Sequence, residues 1–263
     1  MKIVFITQKE DIHSSIILEE LLKSSVIKVV GVVTSKTIVH KRNLFKSLFY
    51  IYKKSGLLYV LMRVFESIYV KNYRFFRLLG RDKFKGENIK SVLDIINEHK
   101  LFHLNTENIN NEESLGILSK LKPDVMVSCV FNQIYSKELM RIAPKGIINI
   151  HRSYLPYYKG ISPTFWVLAN KERFTGVSAH FVTATVDEGP ILLQKKLNIT
   201  DKDTIHTLSK RLMEAIKKDF IQELILYVNN KRKPFKFSKG GAYYSWPDRK
   251  AVIRFLRNRR KIF

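Results

Sequence analysis

The chain has 263 residues, 45% of them hydrophobic, which is enough for one large domain with a short appendage. Lys and Arg number 47 against 23 Asp and Glu, a formal net charge of +24 that points to anionic partners: nucleic acid, acidic lipid headgroups or a phosphorylated substrate, with a merely solvated basic surface as the bland alternative. The single Cys129 excludes an internal disulfide, and no apolar run is long enough to span a bilayer. Met1 to Ile6 enters strand-like sequence without the marks of a secretory signal, so a cytoplasmic protein is expected.

Lys2 to Thr7 reads as a buried strand. Ile12 to Lys23 reads as a helix from the spacing of Ile16, Ile17 and Leu21, and the β-branched run Val26 to Thr34 as a second strand. Strand, helix, strand predicts an α/β class with a Rossmann-like, mostly parallel sheet flanked by helices. No Gly-x-Gly-x-x-Gly follows the first strand, which argues against a dinucleotide enzyme. Residues 40–85 interrupt the pattern with aromatic, apolar and basic sequence, and predict two amphipathic helices divided near Ser55-Gly56. Three readings stand open for this insertion: packing on the domain or in a homodimer, contact of residues 41–81 with an anionic membrane at its inner face, or RNA binding.

Ile89 to Lys100 predicts a helix, Leu101 to Leu104 a short strand, and Asn111 to Leu121 a helix with Glu112 and Glu113 in its first turn. A strand follows at Val125 to Val130, a connection at Val130, Phe131, Asn132, Gln133 and Ile134, and a short helix at Ser136 to Ile142. Ile147 to His151 then reads as a strand that runs into a loop kept irregular by Pro156 and Gly160. Asn149 and His151, two apart, share a face at a C-terminal strand end, where open α/β sheets usually carry their sites. Asp187 lies on a second Gly/Pro-punctuated segment that can fold back over them. The three suit proton shuttling by the His, its charge stabilisation by the Asp and oxyanion binding by the Asn. By spacing alone, Asn-x-His reads first as a buried His satisfied by a neighbouring carbonyl, ahead of the catalytic reading.

The ordered run Asn149, His151, Ser153, Leu155, Pro156, Gly160, Pro163, Trp166, Thr175, Gly176, Val177, Asp187, Gly189 and Ile191 resembles the folate-dependent formyltransferase family. Arg152, Tyr154 and Glu188 stand where the family usually has Pro, Leu and Thr. The resemblance implies the formyltransferase fold, with Asn149, His151 and Asp187 as the catalytic trio. It also implies N10-formyltetrahydrofolate as co-substrate, without a metal, and Val130 to Ile134 as lining for the pterin ring. The implied reaction is formyl transfer to an amine, with a nucleotide-linked amino sugar as the expected acceptor. Methionyl-tRNA is the alternative acceptor, and a non-catalytic RNA- or membrane-binding module is the alternative role.

After Trp166 the chain continues with a helix to about Asn170, strands at Gly176 to Thr185 and Ile191 to Ile199, and a long helix from Asp203 to Tyr227 capped by Asp201 or Asp203. His180 reads as a sheet residue rather than a catalyst. The catalytic domain is expected over 1–229. A basic tail at 230–263 should hold a turn packed on the body and a short helix.

Overall fold

A computed structural model describes residues 1–9, 11–35, 44–72, 90–237 and 240–263. Five strands, β1 (Lys2–Gln8), β2 (Lys28–Ser35), β3 (His103–Asn105), β4 (Val125–Cys129) and β5 (Ile147–His151), run parallel. A two-residue strand β6 (Lys159–Gly160) lies apart from them, and β7 (Phe174–Phe181) pairs antiparallel with β5, then β8 (Ile191–Asn198) antiparallel with β7. The order across the sheet is β3-β2-β1-β4-β5-β7-β8, so the mostly parallel sheet expected from the sequence is present and carries an antiparallel edge.

The central strands β1, β4 and β5 are buried on both faces, and alternation sorts their side chains. Ile3, Phe5, Val125, Val127, Ile148 and Ile150 join one core cluster, with α1 (Ser15–Leu22) against it. Val4, Ile6, Met126 and Ile147 join the other. The helices that follow are α2 (Leu44–Ser55), α3 (Leu57–Lys71), α4 (Val92–Glu98), α5 (Glu112–Leu121) and α6 (Lys137–Ile142). After them come α7 (Pro163–Ala169), α8 (Ile205–Val228) and α9 (Arg249–Arg257). Leu118 of α5 and Leu139 of α6 cover the second cluster, while α4, α7 and α8 pack with α1 on the first.

Side-chain caps fix many helix starts. Ser91, Asn111, Ser136 and Asp248 accept from the backbone amides of Asp94, Ser114, Leu139 and Ala251. The cap of α8 corrects the sequence reading: Thr204, in a reciprocal box with Thr207, takes the place expected for Asp201 or Asp203. Asp203 turns instead to the amide of Thr200 at 2.7 Å and to Arg211 at 2.5 Å. Helix α7 begins at Pro163, earlier than the sequence suggested, because proline suits the first helical turn.

The insertion forms two helices divided at Gly56, as the sequence predicts; Gly56 has φ +86°, a conformation that favours glycine. Residues 40–43 and 73–85 of it lie outside the described residues. Ser47, Ile51 and Ser55, one turn apart, form the inner face of α2, and Tyr59 and Tyr69 belong to that of α3. The Ser55 hydroxyl donates to the Pro247 carbonyl, and Lys54 Nζ to Ser245 Oγ at 2.7 Å. The last segment is thereby fastened to the body. Its strand β9 (Tyr243–Tyr244) pairs with β6, Trp246 is buried, and Phe255 of α9 stacks on Phe165 at 4.8 Å.

Candidate functional site

Strand β5 ends at His151, and the next residues loop back under it. The loop is knitted by side chains at fixed spacing. Ser153 Oγ donates to the Tyr157 carbonyl (2.7 Å) and Ser178 Oγ to the Ser153 carbonyl (2.7 Å). Gln194 Nε2 reaches the Leu155 carbonyl (2.8 Å) and Ser178 Oγ (2.9 Å). These bonds carry the chain round to Tyr158, whose carbonyl accepts from His151 Nε2 at 2.9 Å. A carbonyl only accepts, so the imidazole proton sits on Nε2, and in the neutral ring the Nδ1 lone pair is the reactive one.

Asp187 comes from the hairpin between β7 and β8. Phe181 and Pro190 close that hairpin (Phe181 N to Pro190 O, 2.8 Å), and Asp187 takes φ +54° within it. Its Oδ2 accepts from the Gly160 amide at 2.7 Å and lies 3.7 Å from His151 Nδ1. The pairing register brings in a fourth group: Asn149 lies opposite His180, so both side chains leave the same face of the sheet. Asn149 Nδ2 is 3.2 Å from His180 Nε2, and Asp187 Oδ1 is 3.3 Å from the same nitrogen. His180 Nδ1 donates to the Phe181 carbonyl at 3.0 Å, so Nε2 stands between two partners: without a proton it accepts from the Asn149 amide, and with one it donates to Asp187.

The structure therefore brings Asn149, His151 and Asp187 together. It also adds His180, a sheet residue as expected but one whose ring joins the cluster. Strand periodicity gave no sign of this; only the β5–β7 register does.

Burial sets the charges. Desolvation pushes the His151 imidazole below its ordinary value, against the opposing pull of Asp187 and the Tyr158 carbonyl. Burial alone would raise the Asp187 carboxyl. The charge of His151, the hydrogen bond and charge of His180 and the Gly160 amide outweigh it and hold Asp187 well below the usual carboxylate range. An ionised acid thus faces an imidazole that releases protons readily.

The three departures from the family pattern each have a partner. Arg152 pairs with Asp11 at 3.3 Å, and Lys159 Nζ donates to Glu188 at 2.6 Å. Tyr154 packs against Gly176, where an added Cβ would come within 2.8 Å of the ring.

Val130 to Ile134 follow β4, the neighbour of β5, so this connection borders the site. Val130 has φ +53° and its carbonyl accepts from Gln8 N at 3.1 Å. Gln133 braces the segment: Nε2 donates to Ser35 Oγ (2.8 Å) and the Glu107 carbonyl (3.1 Å), and Oε1 accepts from Ile109 N (3.0 Å). Phe131 stacks parallel to Tyr135 at 5.8 Å, and Ile134 is exposed. Gln133 and Phe131 are therefore fixed by the protein itself, and the backbone they hold is a firm wall. Cys129, buried beneath with its thiol pushed up by desolvation, lies against the Met213 sulfur at 3.8 Å. Among the described residues no group of three or more His, Cys, Asp or Glu is arranged to hold a metal, and no helix is long and apolar enough to cross a membrane.

The profile of the family described as Formyl transferase matches residues 77–224, which contain the whole cluster. The chain is 40% identical over 137 residues to the bifunctional polymyxin resistance protein ArnA of Wigglesworthia glossinidia brevipalpis, covering 52% of this chain and 20% of that protein. It is 38% identical over 127 residues to methionyl-tRNA formyltransferase of Methylacidiphilum infernorum, covering 48% of this chain and 40% of that one. The chain thus spans less than half the length of either relative. In fold it resembles an N-formyltransferase from Helicobacter canadensis solved with folinic acid and dTDP-3-aminofucose. The TM-score is 0.60 at 17% identity, over 98% of this chain and 80% of that one.

Proposed function

The chain belongs to the formyl transferase family, and from that premise we propose that it moves a formyl group from N10-formyltetrahydrofolate to the amine of a nucleotide-linked amino sugar. The observation that carries the reading is the convergence of Asn149, His151 and Asp187 at the C-terminal end of β5. The folate supplies an activated one-carbon carbonyl, and the wall from Val130 to Ile134 beside the cluster is where its ring would lie.

The residues divide the work as their geometry suggests. Transfer forms a bond from the amine nitrogen to the formyl carbon and breaks the bond from that carbon to N10. One proton must leave the amine and one must reach N10. His151 takes the first at Nδ1, where the resulting imidazolium faces the ionised Asp187. Asn149 has a second amide N–H with which to meet negative charge on the carbonyl oxygen. His180 holds the Asn149 amide in place and shares the Asp187 carboxylate. Holding amine and carbonyl together contributes a large part of the acceleration in any two-substrate transfer.

Methionyl-tRNA is the second acceptor to test, favoured by the name of the Methylacidiphilum relative and by the +24 charge, which suits a phosphate backbone. The deciding experiment is single-turnover release of tetrahydrofolate against nucleotide-linked amino sugars, methionyl-tRNA and glycinamide ribonucleotide, with His151→Ala as control. Release that requires an amino sugar and disappears in the variant is expected. Release with methionyl-tRNA alone would replace the acceptor, and release that persists in the variant would overturn the assignment of His151.

A further inference from the structure

Helix α3 is apolar on two sides. Its inner side holds Tyr59 and Tyr69 in the body, while Leu57, Leu58, Leu61, Val64, Phe65 and Ile68 leave the other side at helical spacing. Leu57, Leu61, Phe65 and Ile68 are each 50–59% exposed, so an apolar stripe about 16 Å long stands open along the helix. Helix α2, packed against α3, exposes Phe45, Phe49 and Tyr52 as well. A stripe of this size on a solvent face marks an interaction surface.

The two helices themselves are strongly basic. From residue 44 to 72 the only acid is Glu66, against Lys46, Lys53, Lys54, Arg63 and Lys71. Glu66 takes no part in the outer face: it is turned inward to Arg63 and to His206 at 2.9 Å. Residues far along the chain add to the rim. Helix α9 packs against α2 and exposes Arg249, Lys250, Arg254 and Arg257. Phe263 seats on α3 through Phe65 (6.2 Å) and Tyr69 (4.2 Å), near the exposed Arg259 and Lys261, while Arg260 turns to the Thr200 carbonyl at 2.8 Å.

We propose that the outward face of α2 and α3, with its basic rim from α9 and the C-terminal run, seats on the surface of an anionic phospholipid bilayer. Aliphatic side chains entering the headgroup boundary and lysines and arginines meeting lipid charge are the two contributions interfacial helices combine. A second copy of the chain fits poorly, because a symmetric contact would set these basic rims against each other. RNA would have to stack on the rings of α2, Phe45, Phe49 and Tyr52, and would leave the five exposed aliphatic side chains of α3 uncovered, whereas a bilayer boundary takes both.

The test is co-sedimentation of the full chain with vesicles of phosphatidylcholine alone or mixed with phosphatidylglycerol at roughly 7:3, in about 0.1 M salt. Wild type should pellet with the anionic vesicles and stay in solution with the neutral ones. The double variant Leu61→Asp, Ile68→Asp should lose roughly tenfold or more of this partition with its thermal midpoint and transfer activity retained. Should the aspartates unfold the chain, Leu57→Gln with Leu61→Gln makes the same point more gently. Lys46→Glu with Lys53→Glu should weaken binding most at low salt. The proposal is overturned if wild type ignores anionic vesicles, or if the apolar variants pellet as wild type does. It is overturned equally if wild type is a dimer in light scattering that the aspartates dissociate, or if RNA binds and the same substitutions abolish that binding alone.

Discussion

His151 holds its proton on Nε2 because the Tyr158 carbonyl accepts it, so its chemistry depends on keeping Nδ1 unprotonated. Burial lowers its pKa, and in the proposed mechanism the neutral form is the active one. Activity is therefore present above that value and lost as pH falls through it. The acid limb of kcat/KM should have its midpoint below the ordinary imidazole value of about 6.5, and a midpoint above it would contradict this account. Asp187 opposes the lowering, so Asp187→Asn should move the residual acid limb to still lower pH, along with a loss of roughly 10²–10⁴-fold in kcat. His180→Gln tests the fourth group by steady-state kinetics. A smaller loss in kcat with KM for the folate little changed is expected, since the glutamine amide still offers Asn149 an acceptor. The sequence made Asn149, His151 and Asp187 legible because each stands at a motif position. It hid His180, whose membership rests on lying opposite Asn149 across two strands 31 residues apart.

The same contrast holds for elements. The break at Gly56 and the strand at Ile147–His151 could be read from glycine and β-branched runs, which act locally. The two-residue pairing of β6 with β9 could not, because it joins residues far apart and its strands are too short for periodicity. Two elements also carry specific liabilities. Gly189 lets the hairpin bearing Asp187 close: a Cβ there would stand 1.8 Å from the Phe181 carbonyl oxygen. Gly189→Ala should thus shift Asp187 and lower both the thermal midpoint and kcat, which melting and single-turnover measurements would follow together. The second liability is the buried link from Glu66 on α3 to His206 on α8, continued from His206 to His13 at 2.9 Å. Burial would raise Glu66, but Arg63 and His206 hold it near 2, below its ordinary 4.5. An acid lowered on folding stabilises above its unfolded value and loses that contribution as pH falls toward the folded one. Chemical denaturation of wild type against Glu66→Gln should show an advantage of up to about 3 kcal/mol near neutrality, shrinking below pH ~4.5.

At the scale of the molecule, a +24 chain repels itself, and the repulsion is relieved when salt shortens its range to about 8 Å. The thermal midpoint should rise between about 0.01 and 0.15 M salt, and a fall would mean that the attractive pairs outweigh the excess charge. The net charge and its mixture with apolar sequence over residues 40–85 were legible; the addition of α9 to that rim was not, because α9 reaches α2 only in the folded chain. The C-terminal segment belongs to the main core through Ala251, Val252 and Phe255. Phe255→Ala should cost about 3–5 kcal/mol in denaturant unfolding, since Phe165 loses its stacking partner and a cavity remains.

The register that sets Asn149 against His180 also decides where this chain tolerates changes of length. One residue added within β5 or β7 would turn every later side chain of that strand to the opposite face and separate the pair. One added between residues 182 and 186 would lengthen only a loop, with Asp187 still clipped to the Gly160 amide beyond it. Insertions should therefore be accepted within that five-residue window and refused on either strand beside it, which makes the hairpin tip the place to graft a reporter peptide without disturbing the cluster below.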